Sequence, residues 1–175
     1  IVHTEFSIFV FDRTPKLTAK SQLDIPDVFD TDYQDIMPSN EGFGGLADKE
    51  EAILTKNGYV WYDRRNKIIF NYENGKATIL SADINNFLKY LNISYVRFAE
   101  DIEYNRLIIC IYTIYENTRE ESTITLSYNF NTKTFISIHD YKFTNNYRTC
   151  NKSYVFDNDS CANKLFEFDK NSIVD

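Results

Sequence analysis

The sequence contains no apolar run long enough to cross a membrane; its longest, Leu107-Ile108-Ile109-Cys110-Ile111-Tyr112, has the length of a strand. It also lacks a basic excess. Net charge is -7 and the pI is about 4.9, which removes the electrostatic footprint that nucleic-acid binding depends on. Phosphate loops, dinucleotide fingerprints and a Gly-x-Ser-x-Gly elbow are missing as well. The start, Ile1-Val2-His3-Thr4-Glu5 before Phe6 to Phe11, has neither the basic residues nor the cleavage site of a signal peptide. Methionine occurs once, at position 37, and together with the Ile1 start this fits a fragment or processed product of a larger protein.

Cysteine is scarce too. Cys110, Cys150 and Cys161 are an odd number without the close spacing of a zinc site. Cys110 lies in an apolar strand and reads as a buried thiol. Cys150 and Cys161 are placed to face each other across a hairpin, but a bridge needs an oxidising compartment, and reduced thiols are the favoured reading.

Aromatic residues are abundant: 13 Tyr and 14 Phe among 175 residues, with much Ile and little Ala. β-branched and aromatic side chains suit a pleated, half-buried surface, so the composition predicts an all-β chain. Length alone predicts one β-rich domain over residues 1–175. A first strand is expected from Glu5 to Asp12, ended by Pro15. An irregular acidic excursion follows over residues 23–48, with Asp24, Asp27, Asp30, Asp32 and Asp35, two prolines and Gly42-Phe43-Gly44-Gly45; its composition suits docking on a partner.

From residue 50 the pattern becomes regular. Strands are predicted at 52–56, 59–62, 67–72 and 77–80, separated by Asn57-Gly58, Asp63 to Asn66 and Glu73-Asn74-Gly75-Lys76. Ser81 is placed to cap one short helix, Ala82 to Leu91, with Ile84, Phe87, Leu88 and Leu91 as its apolar stripe. A second meander is expected at 95–100, 106–115, 122–130 and 133–141, and a third unit at 147–150, 152–156 and 164–168. The second strands start near Gly58, Arg106 and Lys152, 48 and 46 residues apart. Antiparallel four-stranded meanders at this spacing predict β-propeller-like blades or a β-sandwich.

One element recurs in these units: an aromatic, then Asp or Asn, then a polar turn, then a strand. It reads Tyr62-Asp63-Arg64-Arg65-Asn66-Lys67-Ile68-Ile69, then Tyr128-Asn129-Phe130-Asn131-Thr132-Lys133-Thr134-Phe135, and Phe156-Asp157 leading to Lys164-Leu165-Phe166. The Asp or Asn side chain can bond the turn backbone.

The segment from Gly58 to Ile69, the segment Thr125 to Tyr141, and Lys164-Leu165-Phe166-Glu167-Phe168 resemble blade repeats of bacteriophage tail proteins, the muzzle or stabilisation proteins of crAss-like phages. The resemblance covers about residues 42–169. It implies a virion structural protein, not an enzyme, located in the phage tail. Other tail subunits in a ring are then its expected partners, with a host surface glycan as a second partner class.

Candidate chemistry stands beside plainer readings. The stretch Asp24 to Asp35 and the turn Asp157-Asn158-Asp159 offer oxygen ligands for a hard cation, although solvated loops explain them as well. Asp63, Glu100, Asp101 and Asp140 lie near strand ends, where a propeller glycosidase would place its carboxylate pair; turn and surface roles are commoner. His139 has Ser137 and Asp140 beside it, but strand neighbours are expected to face apart and form no relay. No catalytic, cofactor or metal residue is assigned. Tyr33, Phe43, Tyr141, Phe143 and Tyr147 are the candidate interface residues, as aromatics that would anchor a protein contact or, second, stack on a sugar; partial core burial is the plainer and favoured reading.

Overall fold

The computed structural model describes residues 1–5, 7–11, 33–35, 43–115, 121–149, 152–157 and 164–168. These form four antiparallel sheets. The first holds β1 (Val2–His3), β2 (Ile8–Phe11) and β3 (Tyr33–Asp35); the second holds β4 (Ala52–Thr55), β5 (Gly58–Asp63), β6 (Ile68–Glu73) and β7 (Lys76–Ile79). The third holds β8 (Ile93–Asp101), β9 (Arg106–Ile114), β10 (Glu121–Asn129) and β11 (Thr134–His139); the fourth holds β12 (Asn145–Arg148), β13 (Ser153–Asp157) and β14 (Lys164–Glu167). Each is a meander, its strands paired in chain order.

The sheets stack face to face in the same order. Between the first two lies a core of Ile8, Trp61, Ile68 and Phe70. Val60, Tyr62 and Ile69 meet Phe98, Leu107, Ile109, Ile111 and Leu126 between the second and third. Ala99, Ile108, Cys110 and Tyr112 meet Phe143 and Val155 between the third and fourth. Side chains alternate between the faces of a strand, so a strand covered on both sides must be apolar at every position. That accounts for Leu107 to Tyr112, whose odd and even residues enter different cores. Contacts between sheets gather on the first strands, β4 with β8 and β8 with β12. The sheets therefore converge along β4, β8 and β12, the inner edge of a set of blades.

Turn residues set the hairpins. Asn74 and Gly75 have φ of 50° and 81°, the paired positive values of a type I′ turn. Gly58, at φ 125°, sits where a Cβ would lie 2.5 Å from the Tyr72 carbonyl oxygen and 2.7 Å from Asn71 Oδ1. The meander thus requires glycine on steric grounds as well as conformational ones.

Three expectations change. The predicted Glu5–Asp12 strand begins only at Ile8 as β2, and β1 precedes it, because Thr4 and Ser7 close a turn around Glu5: Thr4 N donates to Ser7 O at 2.9 Å and Ser7 N to Thr4 Oγ1 at 2.9 Å. Within the 23–48 excursion, Tyr33–Asp35 pairs with β2 as β3. Its last part, 43–48, is bound to the second sheet: Gly44 N donates to Asp63 Oδ2 at 2.8 Å and Trp61 Nε1 donates to Gly44 O at 2.9 Å. Buried Asp63 and Trp61 need these partners, and only an irregular backbone running over them supplies both. Finally, the short helix divides into a 3₁₀ turn, Ala82–Ile84, and α1, Asn85–Tyr90. Ser81 stands at the N-cap position of the 3₁₀ turn, but its side chain makes no capping bond. Its Oγ accepts instead from Ile69 N at 3.0 Å and lies 2.8 Å from Asn85 Oδ1, tying the helix entry to β6.

Candidate functional site

The recurring turn is the first place where chemistry-bearing residues collect. Asp63 accepts from Asn66 N at 3.0 Å, Asp101 from Tyr104 N at 3.3 Å, and Asn129 from Asn131 N at 2.8 Å and Thr132 N at 3.2 Å. Four positions after each of these residues stands a residue at positive φ: Lys67 at 54°, Asn105 at 52° and Lys133 at 57°. The side chain replaces the missing turn hydrogen bonds and holds the chain while it passes through the left-handed region. The Asp157 turn, residues 158–163, lies outside the described residues, as do Cys150, Cys161 and Asp24 to Asp32 of the proposed cation ligands.

Buried carboxylates join the sheets. Glu51 accepts from Val96 N of the third sheet at 3.1 Å and pairs with Arg64 at 2.9 Å. Burial pushes its carboxyl above the usual range, against the pull of Arg64. Glu100, on the third sheet, accepts from Lys56 N of the second at 2.9 Å and is paired with Arg148 of the fourth. Arg148 also donates to Leu54 O at 3.3 Å, and Asn146 Nδ2 donates to Phe98 O. One guanidinium therefore touches three sheets.

A cleft of about 440 Å³ opens at this junction, lined by Lys56, Glu100, Ile102, Arg148 and Thr149. Glu100 is the one carboxylate among the described residues that line it. The other carboxylates flagged in the sequence are engaged elsewhere. Asp63 serves its turn and Gly44, Asp101 is bound by Arg106 at 2.7 Å, and Asp140 lies exposed after β11.

The reading of His139 is corrected in part. Asp140 follows it directly, but Ser137 is two residues away and shares its face, placing Ser137 Oγ 3.0 Å from His139 Nε2. Ser127 Oγ lies 2.6 Å from Ser137 Oγ across the β10–β11 pair, so the three groups form a hydrogen-bonded file. It ties the outer strand to its neighbour.

Of the five candidate interface residues, Phe143 is wholly buried, so the core reading holds there and the anchor reading does not. It covers the face around Cys110, and its carbonyl accepts from Tyr112 Oη at 2.9 Å. Phe43 packs edge-on to Phe70 with centroids 5.3 Å apart. Tyr141 is exposed beside His139, and Tyr147 is 64% exposed on β12. Tyr33 lies in β3, its side chain outside the described set. The sequence reading missed Glu51 and Arg148. A buried charge joining separate sheets leaves no local pattern.

No helix among the described residues is long and apolar enough to cross a membrane. The chain matches no protein-family model and no curated protein.

Proposed function

We propose that this chain is a non-enzymatic structural module that works through protein–protein assembly, and that its setting is a bacteriophage tail. The tail setting rests on the resemblance of the blade segments alone. The assembly reading has one supporting observation: among the described residues, three of the four carboxylates flagged in the sequence are consumed within the fold while several large apolar residues are left in solvent. Asp63, Glu100 and Asp101 are buried and bonded, whereas Tyr147, Tyr104, Tyr115, Leu54 and Ile138 are exposed. Exposed aromatics and aliphatics on a rigid scaffold are the raw material of an interface.

The test has two arms. Antibody against the chain is expected to label the tail in micrographs of particles from a culture that produces it; absence from the particles rejects the setting. The purified chain is expected to ignore a glycan array and chromogenic glycosides. Turnover that Glu100→Gln abolishes would reject the non-enzymatic reading.

A further inference from the structure

β1 is the shortest strand of the chain, Val2 and His3, and pairs with β2 only at Phe9 and Ile8. A further bond holds the residue after it: Leu46 N, in the segment bound to the second sheet, donates to Thr4 O at 3.0 Å. A strand with so few bonds opens at low cost.

His3 lays its imidazole against the second sheet, with ring centroids 5.3 Å from Tyr59 and 5.4 Å from Trp61. Both ring nitrogens are shut off from water, and neither has a hydrogen-bond partner among the described residues. A neutral imidazole forgoes one donor and one acceptor there; an imidazolium forgoes two donors and the hydration of a charge. The two aromatic faces attract a cation but do not replace that water. The charged or titratable groups on the surrounding elements give no relief. Beside β1 these are the Ile1 ammonium and Glu5; β2 carries none; Asp48 ends the 43–48 segment; β5 carries Tyr59 and Asp63, and Arg64 and Arg65 follow it. Asp63 is bound to Gly44 N and Asn66, Asp48 to Glu50 N, and Arg64 to Glu51. The ammonium acts on the ring in the same sense as burial, and the Gly44 backbone offsets the two only in part.

We propose that β1 is a strap over the Tyr59 and Trp61 rings, latched by neutral His3 and released by acid, when the imidazolium leaves its apolar site for water and carries the strand with it. The inference stands apart from the assembly reading. The released ring titrates at the ordinary 6.5 and the latched ring at about 4. The latch is therefore complete above about 6.5, weakens steadily down to about 4 and is level below. Across that interval the ratio of open to closed strap rises roughly 300-fold.

The test is hydrogen exchange of the whole chain between pH 7 and 4, followed at the Leu46 amide, whose acceptor leaves with the strap. Its protection, corrected for the intrinsic pH dependence of exchange, is expected to fall by up to roughly 300-fold while the Leu107 and Ile109 amides of the third sheet keep theirs. Trp61, the one tryptophan of the chain, is expected to become accessible to acrylamide over the same range. His3→Phe is expected to keep Leu46 protected down to pH 4, and His3→Arg, with a permanent charge, to expose it already at pH 7. Protection of Leu46 that does not change with pH overturns the inference. A fall shared by Leu107 and Ile109 also overturns it, since that is unfolding of the whole chain. So does an equal fall in His3→Phe, which would move the cause to Asp63 and its bond to Gly44 N.

Discussion

Glu100 and Arg148 form an ion pair between the third and fourth sheets, with the carboxylate side chain 1% exposed and the guanidinium 42% exposed. Removing the arginine leaves a buried acceptor and a charge without its partner. Arg148→Ala is expected to destabilise the chain by about 1–3 kcal/mol, measured by urea denaturation, because a buried group stripped of its partner bears the full desolvation cost. Glu100→Gln in the same background is expected to restore part of that loss. A double substitution whose loss equals the sum of the two single losses would show that no coupling exists.

Gly58 and Gly75 both have positive φ, at 125° and 81°, but differ in their surroundings. A Cβ at Gly75 meets nothing within 4 Å, while one at Gly58 strikes the Tyr72 carbonyl at 2.5 Å. Gly75→Ala is expected to cost about 1–2 kcal/mol, the left-handed penalty for an L-residue. Gly58→Ala should cost clearly more, since the β4–β5 hairpin must shift away from β6. Thermal midpoints of the two variants decide, and equal losses would contradict the steric account.

His3 lies against Tyr59 and Trp61, with ring centroids 5.3 Å and 5.4 Å away. Burial lowers its pKa from 6.5 to about 4, against an opposing backbone contact from Gly44. The unfolded chain takes up this proton as pH falls through 6.5, the folded chain only near 4. Stability from His3 is therefore complete above about 6.5, falls steadily down to about 4 and is level below. Burial raises the Glu51 carboxyl, which works in the opposite sense, so the comparison must be with His3→Phe. That variant is expected to lose less stability between pH 6.5 and 4; parallel pH profiles would exclude the assignment.

Cys110 is fully buried under Phe143, and burial pushes its thiol above the ordinary range. A buried, protonated thiol is a poor nucleophile. In a Cys150→Ser/Cys161→Ser background the native chain is expected to react with a thiol reagent only as fast as it opens. Phe143→Ala should speed that reaction while the far side of the third sheet, around Leu107 and Ile109, keeps its protection from hydrogen exchange. Immediate labelling of the wild-type thiol would refute the packing of the fourth sheet on the third.

Strand positions were legible because alternation, Asn-Gly turns and the Asp or Asn at each turn start act over a few residues. Val60 and Tyr62 on one face, Tyr59 and Trp61 on the other, follow from the pleat alone. The boundaries of β5, β9 and β10 match their expected spans to within one residue. The candidate site was harder. Phe143 lies in an irregular connection where no period assigns a face, so the sequence leaves anchor and core burial both open. Ser137 and His139 were misread although the two-residue period sufficed to place them together. Gly44 and Trp61, 17 residues apart, meet through a carbonyl that no local pattern marks.

What the sequence determined by itself is the all-β class, the meanders, their spacing and the chemistry of their turns, since these depend on short-range sterics and hydrogen bonds. Only the tertiary structure decided which faces are covered. Glu51, Glu100 and Arg148 join sheets whose residues lie more than forty positions apart, and Phe143 is buried because the fourth sheet closes over Cys110. Burial depends on which sheet stacks against which, and that is a property of distant segments meeting in space.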